Sequence, residues 1–333
     1  MPRPPFRVAT VWLTALCVSA LVRPVPAEVT TDRGASILIF PRVVADGSTD
    51  TVIQLANRSD NRIAAFCAYV NGAAASWQSL GFTVDLYPQR PLYWTVARGR
   101  SETLGEESVD VPAAPAEFRG ELLCVQVDAS GAPFGGNELS GQATLTELST
   151  GDSSAYAAAG LQGSGFNDGD RFLCIGDETT DTCFIGEYDP CPAEWVLNVP
   201  ADGATDAQLG AGSQVSSRLA VVPCSQNLRD AEPGAVDIDL AVFNELAQRF
   251  TGQASVSCWA DLSLADVGGQ IFTRGMLGTD HAEARLTPAG EAGGFIVSLQ
   301  TTRTGAASAV ASSSAITPHR RGPAAVSDLI VLP

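Results

Sequence analysis

Glycine, proline and Asn or Asp turn signals recur about every ten residues, and the apolar positions between them mostly alternate. That spacing leaves no room for stable helices of ordinary length, so the chain is confined to short antiparallel strands. The 32 glycines and 20 prolines supply the turns. Phe82-Thr83-Val84-Asp85-Leu86 and Val236-Asp237-Ile238-Asp239-Leu240 alternate most clearly, and each predicts a strand with one buried face. Leu240, Phe243, Leu246 and Phe250 also fit a helical period, but the match of this segment to an earlier one favours a strand followed by a turn.

That match belongs to a weak internal repeat. Ile37-Leu38-Ile39-Phe40-Pro41 precedes a loop, the run Asp50 to Asn57, a turn, and a strand with Cys67 and Tyr69. Leu219-Ala220-Val221-Val222-Pro223 likewise precedes a loop, the run Asp237 to Asn244, a turn, and a strand with Cys258 and Trp259. A later apolar strand recurs as Gly120 to Val127 and as Gly294 to Leu299, which suggests duplication of one sandwich. Between the copies, residues 151–212 are rich in Gly, Asp and Cys and hold a further candidate strand, Glu194 to Val199.

The N-terminus carries Arg3 and Arg7, an apolar run from Val8 to Val22, and Arg23-Pro24-Val25-Pro26-Ala27. This is the pattern of a secretory signal peptide cleaved after Ala27. The run is shorter than the roughly 20 residues a bilayer-spanning helix needs, and no later stretch is long and apolar enough to span. Leu16 before Cys17 argues against a lipoprotein signal. Cleavage removes three arginines and no acid, so the net charge of −17 becomes −20. Such acidity disfavours nucleic acid as a partner. The absence of lysine excludes Lys-dependent Schiff-base chemistry.

Seven cysteines remain: Cys67, Cys124, Cys174, Cys183, Cys191, Cys224 and Cys258. In an exported chain they predict three disulfides and one odd thiol, and their spacing does not suit zinc. Cys174 and Cys183 suit a closed hairpin tip, and Cys67 with Cys124 an inter-sheet staple. Cys224 and Cys258 fall on equivalent elements of the second copy, although Cys191 could bridge to Cys224 and leave Cys258 free.

Ile39-Phe40-Pro41, Asp50 to Ser59, Cys67-Ala68-Tyr69-Val70-Asn71, Phe118 to Asp128 and the closing Asp328 to Pro333 carry a resemblance. The chain resembles secreted proteins of environmental Gram-negative bacteria with immunoglobulin-like β-sandwich domains. The resemblance implies fold and export and brings no catalytic residues with it. The expected architecture is all-β: two tandem immunoglobulin-like antiparallel β-sandwich domains with a Cys/Gly-rich insertion between them. Residues 1–27 are the signal peptide, 28–212 the first domain including the insertion at about 151–212, and 213–333 the second.

Catalytic signals are sparse. His281 and His319 are the two histidines; neither has a triad motif around it, and both read as turn or loop residues. His-Glu-x-x-His is absent, and Gly160 to Gly165 lacks the strand and helix of a nucleotide loop. Asn167-Asp168-Gly169-Asp170 and Asp177, Glu178 and Asp181 offer oxygen donors for calcium, though acidic turns commonly satisfy their own backbone. Trp77, Tyr87, Tyr93 and Trp94 cluster as a candidate sugar-stacking platform, with Trp94 expected in the core. Asn57-Arg58-Ser59 matches a glycosylation acceptor, yet Asn57 reads first as a turn residue.

The expected protein is therefore exported and non-catalytic, periplasmic, cell-surface or extracellular, and serves adhesion, envelope structure or binding of a protein or glycan. A carbohydrate-binding module and a hydrolase with an unrecognised site are the alternatives.

Overall fold

A computed structural model describes residues 33–72, 77–104, 107–165, 167–176, 183, 186–192, 194–205, 212–290, 293–305, 309–315 and 327–333. The expected signal peptide, Asp177, Glu178, Asp181 and His319 lie outside them. The first half comprises β1 (Ile37–Ala45), β2 (Thr49–Asn57), β3 (Ile63–Asn71), β4 (Gln78–Leu86), β5 (Leu92–Thr95), β6 (Arg100–Leu104) and β7 (Glu107–Val111). It continues with β8 (Phe118–Val127), β9 (Leu139–Glu147), β10 (Ser153–Ala157) and β11 (Ala159–Leu161). Then come β12 (Phe172–Ile175), β13 (Trp195–Pro200), β14 (Gln214–Pro223), β15 (Gln226–Asn227), β16 (Ala235–Asn244), β17 (Arg249–Ser257) and β18 (Ala260–Ser263). A one-turn helix, α1 (Arg274–Leu277), precedes β19 (His281–Pro288), β20 (Phe295–Thr304), β21 (Ala309–Ala315) and β22 (Asp328–Val331). The protein is all-β.

The strands form five small sheets and a β6–β7 ribbon. Sheet I has the order β11-β1-β8-β3-β4, sheet II β10-β9-β2-β5, sheet III β12-β22-β15, sheet IV β18-β14-β20-β21 and sheet V β13-β19-β16-β17. Sheets I and II enclose one core, where Leu38, Phe40 and Leu122 meet Ile53, Leu55 and Leu145. The other face of sheet I, bearing Ile39, Val70 and Leu123, joins a second core that continues through sheets III, IV and V. With β1 packed on β14 and β20, and β14 on β13 and β17, the layers run II, I, IV, V.

This layering explains the two hydrophobic patterns. Ile37 to Phe40, Leu122 to Val125, Leu219 to Val222 and Phe295 to Val297 are unbroken apolar runs because sheets I and IV are covered on both faces. β16 alternates because sheet V has one face in water. Each fully buried Leu, Ile or Phe contributes roughly 1.5–3 kcal/mol, so the doubly covered strands hold the layers together.

Two sandwich pairs are thus present, I on II and IV on V, but the small sheets share a core and do not form two independent immunoglobulin-like units. The insertion is also divided differently from the sequence reading. Its β13 lies at the edge of sheet V beside β19, and its β12 pairs with the C-terminal β22.

The repeat holds as far as the turn after its second strand. Asn57 and Asn244 both accept at Oδ1 from the N–H two residues on, Ser59 and Leu246, and both donate from Nδ2 to a distant carbonyl, Leu86 and Leu277. Beyond this turn the copies diverge. β3 crosses into sheet I beside β8, whereas β17 folds back on β16 as a hairpin within sheet V. Composition decides the difference: Cys67-Ala68-Tyr69-Val70 is apolar on both faces and needs an inner sheet, while Thr251-Gly252-Gln253 tolerates an exposed one.

Candidate functional site

The polar chemistry of the molecule concentrates where sheet I meets the second half. β1 carries a bulge between Phe40 and Val43, which places Pro41 and Arg42 out of register with β8. The Pro41 carbonyl accepts the indole N–H of Trp259 at 2.7 Å. Trp259 lies against residue 72, where a Cβ would stand 2.4 Å from the Trp259 Cβ, so only glycine admits this contact. The neighbouring Cys258 takes φ 63° to turn this corner.

Arg42 reaches Asp261 of β18 at 3.2 Å, and Arg218 of β14 places its Nε 3.1 Å from both Asp261 carboxylate oxygens. Burial pulls the Arg42 pKa down, and Asp261 opposes that shift. Arg42 Nε and Nη1 have no hydrogen-bond partner and are sealed from solvent. The Tyr156 hydroxyl donates to the Arg42 carbonyl at 2.5 Å, and burial raises its pKa. A cavity of about 280 Å³ opens beside this group, lined by Arg42, Arg218, Glu147, Asp152, Ser154 and Gln300.

On the other side of the bulge, Glu121 of β8 is wholly buried and its carboxyl pKa is pushed up to about 8 by desolvation. Gln226 Nε2 donates to it at 2.5 Å. Neither Glu121 nor Gln226 stood out in the sequence. Glu121 sits inside an apolar strand, however, and an acid in such a run is the one signal that could have marked it.

The remaining concavities are open. One of about 860 Å³ lies on the outward face of sheet V, lined by Glu194, Asp239, Arg249, Gln253 and Arg285 around Phe243. The Arg285 guanidinium sits 5.4 Å over the Phe243 ring. Another, of about 620 Å³, borders His281 and Glu245.

The cysteines pair as Cys67–Cys124, Cys174–Cys183 and Cys191–Cys224, with Cys258 a free thiol. Cys67 and Cys124 stand directly opposite one another on β3 and β8, so this bridge joins strands of one sheet and not two sheets. Sheets I and II are linked by hydrogen bonds instead, among them the 2.6 Å bond from Trp94 Nε1 to the Tyr69 hydroxyl and the bond from the Thr51 hydroxyl to the Val44 carbonyl. The Cys224–Cys258 pairing does not form. Cys258 closes a strand of sheet V and its thiol points to the Gly72 carbonyl, while Cys224 leaves β14 toward Cys191.

His281 is exposed, 3.9 Å from Glu245. Asn167, Asp168 and Asp170 each accept a backbone N–H two residues on, and Glu187 accepts from the Asp168 and Cys174 amides, so these oxygens cap their own loop. Cys191, Cys224 and Asp328 converge, but both sulfurs are spent in the disulfide. Trp94 is core. Arg62 and Arg90 each sit over the Tyr87 ring and Arg100 over the Tyr93 ring, while Tyr93 stays 55 % exposed, so of the four aromatic residues Tyr93 is the one open to solvent. Trp77 is partly buried against the second core. Asn57 is 6 % exposed with its amide bonded, which leaves no accessible acceptor for a glycan.

The class defined so far is a disulfide-bridged all-β protein of stacked small sheets. No family model matches the chain, and no curated protein matches it. Among solved structures, a Thermotoga maritima protein aligns at 12 % identity over 40 % of this chain and 97 % of its own, with a TM-score of 0.27. A Parabacteroides distasonis protein aligns at 11 % identity over 79 % of this chain and 84 % of its own, with a TM-score of 0.18. Tripeptidyl peptidase 2 aligns at 9 % identity over 91 % of this chain and 31 % of its own, with a TM-score of 0.19. At these scores the likenesses carry no argument about activity.

Proposed function

We propose that this is an exported, non-catalytic binding protein of the cell envelope or exterior, which presents the outward face of sheet V to a protein or glycan partner. The carrying observation is the open 860 Å³ concavity on that face, where Asp239, Gln253, Arg249 and Arg285 set planar hydrogen-bonding groups around the Phe243 ring. Such groups on a firm sheet suit recognition of a polar surface. Three disulfides and the N-terminal leader pattern support export. The carbohydrate reading rests on the same face, where the Phe243 ring is flanked by carboxylate, amide and guanidinium groups that can hydrogen-bond sugar hydroxyls.

The test is saturable binding of the mature protein to envelope fractions of a related host and to a glycan array, beside an Arg249→Glu/Arg285→Glu variant of equal thermal stability. Binding that the variant loses supports this reading. Equal binding by the variant, or turnover of generic ester, glycoside or peptide substrates that is lost on His281→Ala, overturns it.

A further inference from the structure

Glu121 is 0 % and Gln226 4 % exposed, and they bring sheet I and sheet III together across 105 residues of sequence. Both hydrogens of Gln226 Nε2 are used, one on Glu121 Oε1 at 2.5 Å and one on the Pro223 carbonyl at 3.2 Å. Two acceptors are left over: Glu121 Oε2 and Gln226 Oε1 are both buried without a partner. Buried acceptors on adjoining groups are costly when unmade, and two acceptors cannot satisfy each other without a hydrogen between them. A single proton on the carboxyl supplies it.

We propose that Glu121 and Gln226 form a proton-dependent lock between sheet I and the second half of the molecule. The neutral Glu121 carboxyl donates from Oε2 to Gln226 Oε1 while Gln226 Nε2 donates to Glu121 Oε1. Loss of that proton leaves a buried carboxylate facing an amide oxygen, and the junction loosens.

The surroundings favour the neutral acid. Val70 on β3 stands opposite Glu121, and the bulged Pro41 and Arg42 stand opposite on β1. The Arg42 charge is held by Asp261, which Arg218 shares. Among the described residues, the Cys258 thiol and the Tyr156 phenol sense the Glu121 charge, and neither neutralises a carboxylate. Asp328 of sheet III is engaged by Ser225 and the Gly294 amide. Burial raises the Glu121 carboxyl to about 8, consistent with a proton retained at neutral pH.

The sign follows from linkage. The folded chain holds a proton that the unfolded chain releases above about pH 4.3, so this contribution is complete in acid and is lost as pH rises toward about 8. The experiment compares thermal unfolding midpoints of the mature protein and Glu121→Gln from about pH 5 to about pH 9. It adds infrared difference spectra at neutral pH to detect a protonated carboxyl stretch. The variant keeps a donor toward Gln226 and cannot ionise. The midpoint of the unaltered protein should fall with rising pH relative to the variant, and its spectrum should hold a protonated-carboxyl band that the variant lacks. Parallel midpoint curves, or no such band, overturn the lock. Should Glu121→Gln not fold, Gln226→Met supplies the comparison: the lock requires the protonated-carboxyl band to shift when the Gln226 amide is removed, and an unmoved band overturns it.

Discussion

The indole N–H of Trp259 donates to the carbonyl of Pro41 across 218 residues, and this bond seats the corner between β17 and β18 on the bulge of β1. Trp259→Phe keeps most of the packing and leaves the Pro41 carbonyl without this donor, so a loss of about 1–2 kcal/mol is expected in urea unfolding. Gly72→Ala should cost as much or more, because its Cβ would collide with the Trp259 side chain. A Gly72→Ala variant as stable as the parent would show that the corner is not held by this contact.

The Asp261 side chain is 4 % exposed and forms an ion pair with the buried Arg42. Asp261→Asn should therefore destabilise by roughly 3–5 kcal/mol, since it leaves a buried guanidinium uncompensated. The double change Arg42→Met/Asp261→Leu should recover much of that loss. A double-mutant cycle measured by chemical unfolding reads both numbers.

Between sheets I and II, Tyr69→Phe removes the acceptor of the Trp94 indole. An unsatisfied buried donor should cost about 1–3 kcal/mol, and the quenching of Trp94 fluorescence should change with it.

Cysteine pairing is checked by peptide mapping without reduction. Bonds are expected at Cys67–Cys124, Cys174–Cys183 and Cys191–Cys224, with Cys258 the one alkylated among the described cysteines. Burial raises the Cys258 thiol, so labelling should be slow at neutral pH and quicken on unfolding. Removing Cys191–Cys224 should lower stability by roughly 2–4 kcal/mol. Finding a Cys224–Cys258 bond instead would refute this connectivity.

Much of the strand content was legible because its causes are local. Alternation in Val236 to Leu240 marked a strand with one wet face, and the spacing of Cys174 and Cys183 allowed a hairpin bridge. Asn57 was readable as a turn residue because its side chain bonds its own loop. The run Leu122 to Val125 was legible as part of an apolar strand, yet its burial on both faces became visible only once the sheets were stacked.

Strand periodicity and turn chemistry act over a few residues, so the amino-acid order alone determined an all-β chain and marked several of its strands, although Cys258 and Trp259, read as part of a strand, form the corner after β17. Pairing between distant side chains is chosen by packing, and local rules carry no information about it. The tertiary structure therefore decided that Cys191 and not Cys258 meets Cys224. It also decided that β3 enters an inner sheet while β17 stays outside, and that Arg42 finds Asp261 and Glu121 finds Gln226 within one shared core.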